Sequence, residues 1–351
     1  MRKIYWALLC SVAAAIGLGI ILSYGRIVPA SALSYAVGPT SVSMPTKLLS
    51  HSLPSLPPLP QGTQGPTAET GGEEDSLSAP LFSAADYTVK IPNAPEKAEA
   101  IVEKTYASSL SVNNNSPKDI DINTLLEYVP NLDFSGKGPQ ILIVHTHTSE
   151  AYNETGQNWY ADTDTRSTDN SKNMVHMGEI LETELTARGY SVIHCQKRHD
   201  EDFNHSYTRS NETVREYLER YPSIAVVIDL HRDSLIDGEG TKYRPTVEAD
   251  GGTAAQIMLL MGVGNDIYPH PNWKENLSLA ARIQQQGELL FPGLMRPILV
   301  RPSRYNQHLC TGAILVELGA CGNTPAEAEQ SARLFGEICA KALDQIREDQ
   351  S

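Results

Sequence analysis

Apolar runs alternate with amphipathic segments along the chain from Gly138 to its end. Ile141–Val144 is a continuous branched aliphatic run, which is typical of a strand buried on both faces of a sheet. Asn173–Arg188 instead places its apolar residues near helical spacing, and Gly189 stands where a C-cap glycine is expected. Strands that alternate with helices predict an α/β domain with a mostly parallel, mixed sheet flanked by helices on both faces.

Further elements of this domain follow from the same pattern. The expected strands are Tyr190–His194, Ser223–Leu230 and Ala313–Leu318, and the expected helices are Tyr207–Arg220, Trp273–Leu290 and Pro325–Arg347. The apolar run Gln256–Val263 is a candidate to pair with Tyr243–Ala249 as a β-hairpin. Together these elements predict one domain over residues 137–351.

The N-terminus has the pattern of a membrane segment. Tyr5–Tyr24 carries no charge and is about long enough to cross a hydrocarbon core of ~30 Å. Arg2 and Lys3 precede it, so the rest of the chain is expected outside the cytoplasm. We therefore interpret residues 1–25 as a cytoplasmic N-terminus and a single-pass anchor. A cleaved signal peptide is the alternative, because Ala30–Ala32 has the small-x-small form of a cleavage site.

Two segments separate this predicted anchor from the domain. Residues 26–80 are rich in Pro, Ser, Thr and Gly, and such a composition buries too little apolar surface to offset chain entropy. We interpret them as a flexible tether. Residues 81–136 form a lead-in with two candidate short helices, one in PEKAEAIVEKTYASSL and one in INTLLEYVPNL.

Charge and cysteine content narrow the class of protein. The 351 residues carry a formal net charge of -14, which argues against nucleic-acid binding because phosphates repel excess carboxylates. The 5 cysteines are odd in number and form no C-x-x-C pair, so neither a zinc-thiolate site nor a disulfide framework is indicated. A disulfide between Cys310 and Cys321 stays open at this point.

Candidate catalytic side chains follow three of the predicted strands. ILIV runs into His145, IAVVIDL into His231 and AILV into Glu317. Because ligands collect at the carboxyl ends of strands in open α/β sheets, these side chains are expected to converge. A single histidine at a strand end is more often a hydrogen-bonded structural residue, but three such ends in one domain favour a metal site.

Two imidazoles and a carboxylate are a common ligand set of catalytic zinc. We expect His145 or His147, together with Glu150 and His231, to bind Zn²⁺, and Glu317 to act as the catalytic base. If the strand continues through both histidines, they point the same way, so one binds the metal and the other supports it or contacts substrate. Glu150 as a solvated or capping carboxylate is the alternative.

Other polar residues near these motifs are candidates for supporting the site or for binding substrate. Asp229 and Asp233 flank His231 and are expected to hydrogen-bond a ligand or cap a helix. Arg232 is a candidate to bind a substrate carboxylate, with a salt bridge as the alternative. His308, in the loop before the Glu317 strand, is a candidate for substrate binding.

Several motifs together resemble the stage II sporulation protein P family. They are HTHTSEAY, ELTARGYSVIHC, YTRSNETVREYLERYPSIAVVIDLHRDS, NWKENLSLAARI and ILVELGACGNTPAEAEQSA. The family is similar to the zinc-dependent N-acetylmuramoyl-L-alanine amidases. The resemblance implies a mixed sheet wrapped by helices, with the first amidase histidine at His145 or His147, the second at His231, the glutamate ligand at Glu150 and the catalytic glutamate at Glu317.

The resemblance also implies a function in the cell wall. It implies cleavage of the amide between muramic acid and the first alanine of the peptidoglycan stem, a second endopeptidase activity on peptide crosslinks, and action with stage II sporulation proteins D and M during engulfment. This places the domain in the intermembrane space, anchored to the membrane. A wall-binding scaffold without activity and a zinc peptidase restricted to stem peptides are the alternatives.

Overall fold

The computed structural model describes residues 99–104, 110–154, 159–160, 165–238 and 240–351, and within them it contains eleven strands and five α-helices. The strands are β1 (Glu99–Lys104), β2 (Val112–Asn114), β3 (Ile141–Val144), β4 (Trp159–Tyr160), β5 (Val192–His194), β6 (Val226–Asp233), β7 (Lys242–Ala249), β8 (Gly252–Ala255), β9 (Ile257–Gly262), β10 (Ile298–Arg301) and β11 (Ala313–Ala320). The helices are α1 (Ile122–Glu127), α2 (Met174–Ala187), α3 (Ser206–Arg220), α4 (Trp273–Leu290) and α5 (Pro325–Asp349).

A seven-stranded sheet in the order β2-β10-β9-β11-β6-β3-β5 forms the centre of the fold. All neighbouring pairs are parallel except β9 and β11, which are antiparallel. The carboxyl ends of β3, β6 and β11 therefore lie at one edge of the sheet, and those of β2, β9 and β10 lie at the opposite edge. The predicted mixed, mostly parallel sheet is confirmed.

Helices cover both faces of this sheet. Ile141 and Ile143 of β3 point to the face where α2, α4 and α5 contribute buried residues to the larger core. Leu142 and Val144 point to the other face, where they pack with Val214 of α3 in a smaller core. The alternation along β3 thus divides its four fully buried side chains between two hydrophobic layers.

Local sequence signals explain where the helices begin and end. Asn173 caps α2 by accepting a hydrogen bond from Val175 N–H, and Gly189, at φ 91°, follows the helix in the left-handed conformation. Thr324 and Glu327 form a capping box at the start of α5, a feature that contributes about 1 kcal/mol to helix stability. The predicted helix Trp273–Leu290 is found with the same bounds.

The predicted hairpin between Tyr243–Ala249 and Gln256–Val263 is wrong. β7 pairs instead with β8 across Asp250 and Gly251, which both have positive φ. This Asp-Gly pair makes the tight turn that joins two antiparallel strands directly. β9 is thereby released to pair with β10 and β11 inside the main sheet.

The lead-in also differs from the predicted pair of helices. Its first candidate helix contains the strand β1, which pairs parallel with β7 and antiparallel with β4 in a second sheet of order β4-β1-β7-β8. The second is the short helix α1, which packs against α4: Ser278 donates a hydrogen bond to Leu125 O at 2.6 Å. Residues 110–136 are therefore part of the main domain: β2 pairs with β10 in its sheet, and α1 packs against α4.

The anchor predicted at Tyr5–Tyr24 and the tether at 26–80 lie outside the described residues. Among the helices that the structure does describe, none is both long and apolar enough to cross a membrane. Cys310 and Cys321 are free thiols, so the disulfide left open above is absent. Cys310 instead donates a hydrogen bond to Ala225 O.

Candidate active site

Three neighbouring parallel strands, β3, β6 and β11, deliver the predicted side chains to one edge of the sheet. Val144 of β3 is in register with Asp229 of β6, and His231 of β6 is in register with Glu317 of β11. The strand was predicted to end at Leu230, directly before His231. β6 instead continues through His231 to Asp233. His231 and Glu317 therefore lie side by side on paired strands, which fixes their spacing more firmly than two loops would.

A β-bulge follows Glu317. Glu317 pairs with His231 but Ala320 pairs with Asp233, so β11 holds one residue more than β6 over this interval. Gly319 takes φ 68° there, and a Cβ at this position would lie 2.5 Å from the Ala255 Cβ. Bulges of this kind re-aim side chains beside active sites.

The segment after β3 is a turn, not a continuation of the strand. Asp229 accepts hydrogen bonds from Thr146 N–H at 2.8 Å and from Thr146 Oγ1 at 2.6 Å. Asp200 similarly accepts from Ser149 N–H at 2.9 Å. Because the strand stops at Val144, the condition under which His145 and His147 would point the same way is not met.

His145 directly follows β3 and is fully buried. Its Nδ1 lies 3.0 Å from Leu230 O and its Nε2 lies 2.8 Å from His194 Nε2. Gly178 of α2 makes room for this pair, since a Cβ there would lie 2.4 Å from His194 Nε2. Burial, together with the neighbouring His194, lowers the pKa of His145 to about 3. Both nitrogens of His145 are thus engaged away from Glu150.

His147, by contrast, faces the other predicted ligands. Its ring centre lies 5.4 Å from that of His231, edge to face, and Glu150 Oε2 lies 3.5 Å from His231 Nδ1. Among the described residues, His147 Nδ1 is buried without a hydrogen-bond partner. Burial lowers the pKa of His147 to about 4, so its imidazole is neutral and able to bind a metal at neutral pH.

His231 lies between two carboxylates. Its Nε2 is 2.9 Å from Asp229 Oδ1, and its Nδ1 is 3.5 Å from Glu150 Oε2. Burial alone lowers the pKa of His231, but Asp229 and Glu150 outweigh burial and raise it well above the usual value. Burial raises the pKa of Glu150, yet Arg232 and His231 outweigh it and hold that pKa well below the usual range. This pocket therefore favours positive charge.

Glu317 has the opposite electrostatic character. Its side chain is buried, and Oε2 has no hydrogen-bond partner among the described residues. Burial, reinforced by the nearby Asp233, raises the pKa of Glu317 to about 8. A carboxyl group whose pKa lies near neutrality is suited to accept and return a proton.

Arg232 and His308 are not placed as substrate-binding residues. Arg232 is 4% exposed; it donates from Nε to Ala151 O and from Nη2 to Thr165, and its backbone N–H donates to Glu150 Oε2 at 3.2 Å. It therefore fixes the Glu150 segment. His308 packs against His270, with ring centres 6.4 Å apart, before the amino end of β11 and away from Glu317. Substrate binding by Arg232 or His308 therefore stays a prediction, which the protein contacts of these two side chains do not support.

Three residues of the site had no signal in the sequence. Asp200 follows β5 and holds both Ser149 and Arg166, with Arg166 Nη1 at 3.1 Å from Asp200 Oδ2. Phe203 lies on a short 3₁₀-helix and stacks on His147, with ring centres 4.5 Å apart. Asp200 and Arg166 belong to loops and Phe203 to a single 3₁₀ turn, where no periodicity predicts which side chains will meet.

The donor set fits zinc, although no closed set of ligands is formed. Within the described part of the chain, no group of three or more His, Cys, Asp or Glu side chains is arranged to hold a metal ion as it stands. Two imidazoles and a carboxylate nevertheless converge, one imidazole nitrogen is buried without a partner, and the pocket favours positive charge. These are the donors that catalytic zinc sites use.

Comparison with known families agrees with the motifs. The family model described as Stage II sporulation protein P matches residues 44–340. This chain belongs to the stage II sporulation protein P family. A curated relative, Stage II sporulation protein P of Bacillus subtilis (strain 168), is 23% identical over 272 residues, which cover 72% of this chain and 62% of the relative. The chain thus spans less than two thirds of the length of that stage II sporulation protein P.

Solved structures similar to this stage II sporulation protein P family member include amidases. The CwlD amidase from Clostridioides difficile, in complex with the GerS lipoprotein, is 12% identical, with a TM-score of 0.35 over 60% of this chain and 98% of its own. The N-acetylmuramoyl-L-alanine amidase from Clostridium difficile 630 is 14% identical, with a TM-score of 0.34 over 62% of this chain and 100% of its own.

Proposed function

We propose that this chain is a zinc-dependent peptidoglycan hydrolase that cleaves the amide between the lactyl group of muramic acid and the first alanine of the stem peptide. The observation that carries this proposal is the convergence of His147, Glu150 and His231 beside Glu317. The resemblance to the stage II sporulation protein P family supplies the substrate class. Neither wall-binding scaffolds nor purely structural sites require a buried glutamate without a hydrogen-bond partner.

Each residue has a defined part in the proposed reaction. His147, Glu150 and His231 would hold the zinc, which when bound would supply a Lewis acid for the amide carbonyl and for water. Glu317 takes a proton from the attacking water and returns it to the departing nitrogen of alanine. Asp229 orients His231 from the side opposite Glu150, as outer carboxylates commonly do for histidine ligands.

We further propose a location, a second activity and two partners for this chain. We include membrane anchoring by Tyr5–Tyr24, an extracytoplasmic location of the catalytic domain, a further endopeptidase activity on peptide crosslinks, and action with stage II sporulation proteins D and M. The uncharged apolar run after Arg2 and Lys3 supports anchoring. Family resemblance alone supports the endopeptidase activity and the two partners.

Incubation of the purified full-length chain with intact sacculi tests the reaction. Glycan strands freed of their stem peptides, with a new alanine amino terminus, are the expected products. Cut crosslinks without freed glycan would instead indicate a peptidase restricted to stem peptides, and no release at all would indicate a scaffold. Either of these results contradicts the amidase assignment.

Two substitutions test the roles of the residues. Glu317→Gln is expected to retain zinc, measured by elemental analysis, and to lose amide cleavage, whereas His231→Ala is expected to lose zinc. Glu219→Gln, on the exposed side of α3, is the matched control and should change neither quantity. A near-normal cleavage rate for Glu317→Gln would show that the base has been misassigned.

A further inference from the structure

An exposed aromatic side chain lies directly against the candidate metal site. Phe203 is 43% exposed, although large apolar side chains are mostly buried in this fold. Its ring is nearly parallel to that of His147, at 12° and 4.5 Å between centres. The guanidinium carbon of Arg166 lies 4.8 Å from the centre of the same Phe203 ring. Phe203 thus contacts both His147, a predicted zinc ligand, and the guanidinium group of Arg166.

Arg166 is fixed in orientation but still faces solvent. Its Nη1 lies 3.1 Å from Asp200 Oδ2, and Asp200 is buried; its Nη2 lies 3.9 Å from Glu150 Oε1. The Arg166 side chain nevertheless retains 32% of its exposure. A guanidinium that is stacked and held in this way loses little conformational entropy when it binds a further group.

The surroundings define which ligand this group suits. Glu150, Asp229 and Asp200 all lie close by, and the whole chain carries a net charge of -14. These carboxylates repel an anionic substrate, and a zinc ion held by Glu150 and the histidines would be engaged with the reacting amide, so a separate cation is needed to receive a carboxylate of the substrate. Arg166 is the partly exposed cation that adjoins both Phe203 and Glu150, and a planar guanidinium matches a carboxylate in two parallel hydrogen bonds.

We propose that Arg166, supported by Phe203, is a specificity-determining residue that binds a carboxylate of the stem peptide beside the bond to be cleaved. This inference rests on the proposed function for the nature of the substrate. It adds the chemistry that the site selects: an acidic peptide in preference to its amidated form.

A purely structural role for Arg166 makes a different prediction. If Arg166 only holds Glu150 and Asp200 in place, its loss should weaken binding of every substrate alike and should reduce zinc content. If it binds a carboxylate, its loss should affect carboxylate ligands selectively and leave zinc in place. The two roles therefore separate in a comparison of matched ligands.

Calorimetric binding to the full-length chain makes this comparison. The probes are an N-acetylmuramoyl dipeptide with free carboxylates and the same compound with carboxamides. The unchanged chain is expected to bind the carboxylate form on the order of 10-fold more tightly, as for the loss of one charge-assisted hydrogen bond. Arg166→Gln should remove this preference, and Phe203→Ala should reduce it.

Arg198→Gln is the matched control, because Arg198 Nε lies 3.5 Å from the other oxygen of Asp200. This variant should keep the preference for the carboxylate form. Equal or undetectable binding of the two probes by the unchanged chain overturns the inference, as does an equal loss of both in Arg166→Gln. An Arg166-dependent preference without amide cleavage would instead leave the subsite standing and refute the proposed function.

Discussion

A methyl group added at Gly178 should disrupt the buried histidine pair beneath the candidate site. Gly178 lies inside α2, where alanine is normally favoured over glycine by about 0.5–1 kcal/mol. Here a Cβ would lie 2.4 Å from His194 Nε2, 2.5 Å from His194 Cε1 and 2.8 Å from His145 Nε2. Gly178→Ala should therefore destabilise the protein despite its better helix propensity.

The size of this effect can be worked from its parts. Overpacking a well-packed interior costs about 1–3 kcal/mol, and a buried polar group left without its partner costs about 1–3 kcal/mol more. The gain in helix propensity offsets part of this, so we expect a net loss of about 3 kcal/mol. For a domain of this size that loss lowers Tm by roughly 6–12 °C.

Thermal and urea unfolding measure the change, and a second substitution tests its cause. His194→Ala removes the two closest contacts of the new methyl group and leaves only that with His145 Nε2, so Gly178→Ala should cost clearly less in the His194→Ala background than in the unchanged chain. Thr186→Ala, on the exposed side of α2, controls for helix propensity. A neutral or stabilising effect of Gly178→Ala alone would show that the close contact between α2 and the histidine pair is not present in solution.

Three further predictions concern metal binding and pH. His147→Ala should abolish zinc retention, whereas the folded fraction of His145→Asn should retain zinc. Elemental analysis of the folded protein measures the zinc content of both variants. Loss of zinc in His145→Asn alone would show that His145, not His147, is the ligand. Asp229→Asn should weaken zinc affinity about 10–100-fold, as measured by chelator competition, and unchanged affinity would contradict its orienting role. Burial lowers the pKa of His270 to about 3, so its neutral form is favoured in the folded state and stability should fall as pH drops below 6.5 towards 3. His270→Leu should remove up to about 1.4 kcal/mol per pH unit of that slope, and identical unfolding profiles over this range would refute the argument.

The elements set by local pattern could be predicted from the sequence. Trp273–Leu290 has helical spacing over many residues, and its bounds were predicted without error. β1 lies in PEKAEAIVEKTYASSL, which was a candidate for a short helix. It becomes a strand through pairing with β7, more than a hundred residues away. Propensity is a weak guide wherever such distant pairing decides the structure.

The candidate site divides in the same way. The strand-end pattern correctly brought His231 and Glu317 together, because parallel neighbours in a sheet share an edge. It could not separate His145 from His147, since that depends on where β3 stops, and Asp229 sets this by binding Thr146. Arg166 meets Phe203 only through the folding of two loops, which no spacing encodes.

The bulge at Gly319 makes the position of Glu317 in the sheet independent of the register of the residues that follow it. Before the bulge, β11 stays in step with β6; after it, Asn323 ties the chain to Ala320 N–H at 2.8 Å and to Pro245 O at 3.0 Å as it enters α5. We therefore expect the extra residue at the bulge to accommodate small shifts of α5 or of the β7–β8 hairpin, so that the side chain of Glu317 keeps its orientation. Deletion of Gly319 should remove the bulge and give β6 and β11 a regular register. Displacements of α5 would then shift Glu317, the residue proposed to transfer the proton.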